Sequence, residues 1–147
     1  VRLSLSPSTN GCDYEFAHQA RVRFAETDAM GVVHHGSYVL YLEDARVELL
    51  RHHGHPYAEV RAEGFEFPVV ELFVQYRKPL HFDDRVDVSV TIGEVTRTTF
   101  QLGYLLQVAG ETRATAVTVH GVVDGNGRAT RLPAWMAAIG DASGSDS

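Results

Sequence analysis

Residues 23–46 read RFAETDAMGVVHHGSYVLYLEDAR, and the order of residue types here decides how the rest of the chain can be arranged. The stretch leaves an extended segment, Arg21 to Ala25, passes through a polar turn containing Gly31, and enters an apolar segment of helical length. Gly36 to Gly54 makes a helix of about five turns at 3.6 residues per turn. Tyr38, Leu42, Ala45 and Leu49 fall on one face, and Val39, Val47 and Leu50 widen it. A stripe that broad suits a helix gripped by a curved sheet rather than one resting on a flat surface. Three acids, Glu26, Asp28 and Glu43, are set against this apolar body, and Asp28 lies in the turn itself. A carboxylate at a strand-to-helix junction neighbours backbone N–H groups that no intrahelical carbonyl satisfies. Spacing alone leaves two readings open. Asp28 caps the helix, or it is a base or nucleophile beside ready-made oxyanion donors, as acyl transfer requires.

Upstream, Tyr14 to Ala25 alternates weakly through Tyr14, Phe16, Val22 and Phe24, which predicts a first strand. Residues 1–13, rich in Ser with Pro, Thr, Asn and Gly, predict a flexible arm. Downstream, Gly54 and Pro56 stop the helix, and Pro56 to Glu63 has the length of a short second helix closed by Gly64. Four alternating runs follow. Phe67 to Lys78 places Val70, Leu72, Val74 and Tyr76 on one face; Arg85 to Thr96 does the same with Val86, Val88, Val90 and Ile92. Phe100 to Ala109 aligns Phe100, Leu102, Tyr104, Leu106 and Val108, and Thr112 to Val123 is reached through a two-residue turn at Gly110-Glu111. One apolar face per run predicts antiparallel strands covered on that side only. Asp124 to Arg131 reads as a loop, Pro133 to Ile139 as a short terminal helix, and residues 140–147 as a flexible tail. The organisation is one domain, residues 14–139, between an arm and a tail.

Composition excludes several classes of function. The net charge of −6 comes with scattered arginines and a single lysine, Lys78, so no basic block invites nucleic acid. Cys12 stands alone and supports neither an internal disulfide nor a Cys-rich metal site. No apolar run reaches transmembrane length, and residues 1–13 lack the apolar core of a signal peptide. The expectation is a cytoplasmic protein with no membrane partner. His34-His35 and His52-His53-Gly54-His55 are dense, but adjacent helical residues point about 100° apart and do not converge on one ion. No HExxH or Cys/His ligand spacing is present, so no metal is expected.

The run E-T-D-A-M-G-V-V-H-H-G-S-Y, followed by L-E-D-A-R, resembles the signature of the 4-hydroxybenzoyl-CoA and YbgC-type acyl-CoA thioesterases. Tyr76-Arg-Lys-Pro79-Leu-His-Phe-Asp83-Asp84 resembles the same family's strand-to-strand connection, and weaker similarity runs from about Tyr14 to about Pro133. The resemblance implies an α+β hotdog fold, an antiparallel sheet wrapped around one long central helix. It implies hydrolysis of acyl-CoA thioesters with no cofactor beyond the coenzyme A of the substrate. Asp28 matches the catalytic carboxylate, and His35 matches the position whose backbone N–H polarises the thioester carbonyl. Gly31, Val33, His34, Tyr38 and Glu43 are the implied substrate-binding positions. His34 departs from the tyrosine that many relatives carry. Glu43 and Arg46, three apart, can also pair along the helix, and Glu26 reads as a solvated or capping acid.

Arg77, Lys78 and Arg85 are the candidates for holding coenzyme A, with protective sheet-edge charge as the competing reading. In this family the acyl site lies between subunits, which implies a homodimer or homotetramer. An acyl carrier protein substrate would keep the fold and change the carrier. A sensor that binds acyl-CoA without cleaving it needs no poised carboxylate, and residues 1–13 are too short for a helix-turn-helix.

Overall fold

The computed structural model describes residues 6–145; the first five residues of the expected arm and the last two of the expected tail lie outside the described residues. Its strands are β1 (Phe16–Arg21), β2 (Val69–Tyr76), β3 (Arg85–Val95), β4 (Thr99–Val108) and β5 (Glu111–Gly121). Its α-helices are α1 (Tyr38–His52), α2 (Tyr57–Ala62) and α3 (Ala134–Ser145). The strands form one sheet in the order β1-β3-β4-β5-β2, every pair antiparallel. The β3–β4–β5 meander is therefore the centre, and the strands flanking α1 in sequence become the two edges.

Register explains the core. Val90 pairs with Tyr104, and Tyr104 with Ala116, so inward positions on neighbouring strands stack in rows. Val86, Val88, Val90, Phe100, Leu102, Tyr104, Leu106, Ala114 and Ala116 are all buried there. Leu42, Ala45 and Leu49 of α1 lie against them, also buried. A fully buried leucine contributes about 1.5–3 kcal/mol relative to an exposed one, so this seam anchors the helix. The helix packs on β1 and β3.

Several boundaries differ from the sequence reading, each for a local reason. The first strand ends at Arg21, and Phe24–Glu26 is a 3-10 turn, because the Glu26 carboxylate accepts the Arg23 backbone N–H and pulls the chain out of the ladder. Ahead of α1, residues His35–Ser37 form a 3-10 turn that His34 caps: its Nδ1 accepts the Gly36 N–H at 3.1 Å. The β4–β5 turn falls on Ala109 and Gly110 rather than Gly110 and Glu111, since Val108 pairs with Glu111. Their φ values of 50° and 81° both lie in the left-handed region, as a two-residue turn that matches the right-handed strand twist needs. The terminal helix continues beyond Ile139 to Ser145.

Two differences concern what the sheet covers. The β2 face expected inside is open, with Val70, Leu72 and Tyr76 exposed, because α1 lies over β1 and β3 and leaves this edge bare. Conversely, β4 and β5 are buried on both faces: Gln101, Leu105, Thr115 and Val117 on the outer side are covered as well. Part of the N-terminal segment lies on that outer side, where Pro7 and Tyr14 share a cleft with Thr91 and Gly103. Asn10 caps the 3-10 turn Gly11–Asp13, and the Tyr14 hydroxyl donates to the Ser8 carbonyl at 2.7 Å.

Candidate active site

Asp28 sits in a small hairpin. Thr27 bridges Val33, the Asp28 N–H donates to the Val32 carbonyl at 2.8 Å, and the Gly31 N–H donates back to the Asp28 carbonyl at 3.0 Å. Gly31 has φ of 80°, a conformation a side chain would strain, so glycine is what lets the loop reverse. The Asp28 carboxylate accepts the Met30 N–H through Oδ1 at 2.8 Å, a turn-forming bond local to the loop. It does not cap α1, whose N-cap residue is Ser37. The residue is exposed, and Oδ2 makes no hydrogen bond among the described residues.

The hairpin is fastened along its returning arm. Val32 bridges His81, the Val33 N–H donates to the Leu80 carbonyl at 2.8 Å, and the His34 N–H donates to the Glu26 carbonyl at 2.9 Å. The chain then turns into α1 with the His34 and His35 rings 4.2 Å apart. The Tyr76 hydroxyl, from the end of β2, donates to the His35 carbonyl at 2.9 Å. Tyr38 is buried, its ring edge-on to Tyr76 at 4.8 Å, and burial raises its phenol above the usual value against an opposing hydrogen bond from the Leu80 amide.

Between these parts lies a groove of about 280 Å³, lined by Val33, His35, Tyr38, Tyr76, Arg77, Lys78 and Pro79. It unites candidates for the acyl site with two of the three candidates for coenzyme A. Asp28, Gly31 and His34 are not on its wall; Asp28 and Gly31 belong to the hairpin whose returning arm ends at Val33. Glu43 is exposed further along α1, and Arg46 does not pair with it among the described ion pairs. Arg46 instead hydrogen-bonds the buried Tyr104 hydroxyl. Arg85 opens β3 opposite Arg21 on the β1 edge, across the sheet from Arg77.

The two rim cations differ. Lys78 is paired with Glu111 at 2.9 Å, a bond that leads the causes holding the Glu111 carboxyl below its usual range. Arg77 donates to the Gln75 carboxamide at 3.2 Å and meets no carboxylate among the described ion pairs, so its charge is the freer one. Arg113, which sequence reading passed over, donates to the Pro79 carbonyl beneath the rim and lies 2.9 Å from Glu111.

Glu26 is a larger surprise. Only 5% exposed, its carboxylate accepts the Tyr41 hydroxyl at 2.8 Å, the Arg23 N–H at 2.8 Å and the Arg23 guanidinium at 2.8 and 3.0 Å. Burial alone would raise its pKa, but these donors together outweigh it and hold the carboxyl below its ordinary value. The histidines outside the site are occupied otherwise. His52 meets the Phe16 ring at a tilt, His55 stacks on Trp135, and His53 faces Glu15. Among the described residues no group of three or more His, Cys, Asp or Glu could hold a metal ion, and no helix is long and apolar enough to cross a membrane.

A long helix held in a five-stranded antiparallel sheet, with a polar hairpin at the helix entrance, is the architecture of the hotdog enzymes. Residues 22–140 match the model of the thioesterase-like superfamily, and the chain belongs to that family. It is similar to a protein of Aquifex aeolicus of known crystal structure, with 37% identity, a TM-score of 0.81, and coverage of 85% of this chain and 98% of that one. The acyl-CoA thioester hydrolase YbgC of Escherichia coli O157:H7 is 40% identical over 77 residues, covering 52% of this chain and 58% of the relative. The crystal structure of DHNA-CoA thioesterase from Staphylococcus aureus is 27% identical with a TM-score of 0.82, covering 87% of this chain and 90% of that one. The chain is thus a thioesterase by family and by fold.

Proposed function

We propose that the protein is a cytoplasmic acyl-CoA thioesterase that works as a homodimer or homotetramer, with Asp28 as its catalytic carboxylate and no cofactor. The observation that supports this reading is the groove itself. Its lining combines the His35 turn and the Tyr38 ring with Arg77 and Lys78, and its Val33 is bridged to Thr27, the residue before Asp28. The Asp28 carboxylate either activates water or attacks the thioester carbon, and both routes need an ionised group within reach of the carbonyl. Either route builds negative charge on the carbonyl oxygen, which the His35 N–H receives; one such donor is worth about 2.7–4 kcal/mol in comparable sites. The thiolate then leaves as free coenzyme A; the acid is formed directly on the water route, and on the other only after water hydrolyses the anhydride left on Asp28. Release of free thiol across a panel of aliphatic and aromatic acyl-CoAs is the direct test, and silence across the panel would overturn the assignment.

Arg77 is expected to recognise the phosphates of coenzyme A, because its charge is not cancelled by a carboxylate. Arg77→Ala should raise KM for acyl-CoA about two- to fivefold, an exposed charge–phosphate contact being worth about 0.5–1 kcal/mol. It should leave KM unchanged for the matching pantetheine thioester, which lacks the nucleotide. Equal effects on both substrates would remove Arg77 from nucleotide binding.

Assembly follows from the bare edge. Val69, Val70, Leu72, Phe73 and Tyr76 of β2 are exposed, with Val39 and Leu40 of α1. An uncovered apolar edge strand pairs readily with another copy. Light scattering is expected to give at least twice the 16.2 kDa chain mass. An active monomer would contradict this.

A further inference from the structure

Among the described residues Glu26 is the one acid buried from solvent, and the chemistry proposed above does not use it. Burying a carboxylate is costly unless every bond it gives up to water is replaced. A capping box with Arg23 accounts for the bonds to that residue. Such a cap works equally well at the surface, and it accounts neither for the burial nor for the bond to Tyr41. Burial and then the Glu26 contact push the Tyr41 phenol upward, so this hydroxyl remains a donor.

Two links run from Glu26 toward the site. Its main-chain carbonyl accepts the His34 N–H at 2.9 Å and closes the base of the hairpin, where Thr27 also bridges Val33. Its carboxylate accepts the Tyr41 hydroxyl at 2.8 Å and bolts that base to α1, one turn beyond Tyr38. Asp28 follows Glu26 by two residues, and His35 follows His34 by one. Base and oxyanion donor are therefore each within two residues of the same clamp, and that clamp is tied to the helix rather than to solvent. We propose that Glu26, acting through Tyr41, is a positioning residue that holds the Asp28 carboxylate and the His35 N–H in fixed relation. The proposal rests on the roles assigned to those two groups above. Misplacing reacting groups by about 1 Å can cost about a hundredfold in rate, so a buried clamp at this point has a kinetic consequence.

The test uses Glu26→Gln and Tyr41→Phe, each assayed at a temperature where calorimetry shows the variant folded. In both, kcat is expected to fall at least about tenfold while KM changes less than about twofold, and the double variant should be no slower than the slower single one. Amide hydrogen exchange at Met30 and His34 should accelerate in both variants, reporting a loosened hairpin directly. Should Glu26→Gln fail to fold, Tyr41→Phe alone carries the test, since it deletes one hydroxyl. Unchanged exchange in Tyr41→Phe overturns the proposal, as does a normal kcat in a variant whose hairpin exchanges faster. Asp28→Asn run alongside separates the failures. If it is inactive while Glu26→Gln and Tyr41→Phe turn over normally, only the clamp is wrong. If it hydrolyses at the normal rate, the role of Asp28 is what has failed.

Discussion

Asp28→Asn is expected to lower turnover at least about a hundredfold while leaving the fold and the affinity for acyl-CoA nearly unchanged. The size is the low end for positioned acid–base groups. The asparagine carboxamide oxygen can still accept the Met30 N–H, as Asp28 does through Oδ1 at 2.8 Å, so the hairpin should keep its shape. The backbone bonds from Asp28 to Val32 and from Gly31 to Asp28 do not involve the side chain at all. What disappears is the negative charge that either attacks the carbonyl carbon or draws a proton from water. Turnover and ligand affinity measured on the same folded variant decide the matter. Near-normal hydrolysis would leave Asp28 as a turn residue and nothing more.

The second large effect concerns acid stability. His120 on β5 is fully buried: its Nδ1 lies 3.1 Å from the Phe67 carbonyl and its Nε2 lies 2.8 Å from the Thr118 hydroxyl. A carbonyl only accepts, so Nδ1 carries the proton and Nε2 accepts from Thr118. Thr118 in turn accepts from the Tyr104 hydroxyl at 2.8 Å, and Tyr104 accepts from Arg46. Every donor in this chain points toward His120. Protonating Nε2 would turn a second donor on the Thr118 hydroxyl and deprive that hydroxyl's own proton of its acceptor. Burial first, and the Arg46 charge second, depress the imidazole to about 4, against a smaller opposing pull from the Phe67 carbonyl.

Between pH 6.5 and about 4 the unfolded chain therefore binds a proton at this site that the native chain refuses. Stability is full above the unfolded value, falls as pH drops through that window, and levels off once the native histidine also protonates. At about 1.36 kcal/mol per unit the loss is about 3 kcal/mol. Denaturant titrations at pH 7 and pH 4.5 should show it, and the difference should largely vanish in His120→Gln, which does not titrate. An equal pH dependence in the two proteins would show that other groups govern acid unfolding.

The sheet and helix were legible because their side chains obey short-range periods. Val86, Val88, Val90 and Ile92 alternate as a strand with one face in the core, and all four are buried. Tyr38, Leu42, Ala45 and Leu49 recur at helical spacing and are buried too. Periodicity records which residues share a face but not whether anything covers that face. Leu72 and Tyr76 accordingly share a face with the core while standing about half exposed.

The motif draws attention to Asp28 and His35, yet spacing leaves Asp28 open between helix cap and base or nucleophile, because it does not show the local bond to Met30 that the carboxylate makes instead of a cap. Arg85 was grouped with Lys78 by closeness in sequence, although the intervening connection crosses from one edge of the sheet to the other side. Glu26 and His120 were missed for a common reason. Their partners, Tyr41 for one and Phe67 for the other, lie far along the chain, and no local pattern announces such a meeting.

The two walls of the groove come from separate segments, Val33 to Tyr38 on one side and Tyr76 to Pro79 on the other. They are joined by hydrogen bonds, from Tyr76 to the His35 carbonyl and from Val33 to the Leu80 carbonyl, and by ring contact between Tyr38 and Tyr76. Neither wall belongs to the β3–β4–β5 meander, although Val33 and Tyr38 are buried in the same core. Substitutions at the exposed wall positions, His35, Arg77 and Lys78 among them, can therefore reshape the cavity while the scaffold keeps its packing. Descendants of one ancestral fold can diverge in the acyl groups they accept through a handful of changes, with the burden of folding left to residues that never meet a substrate.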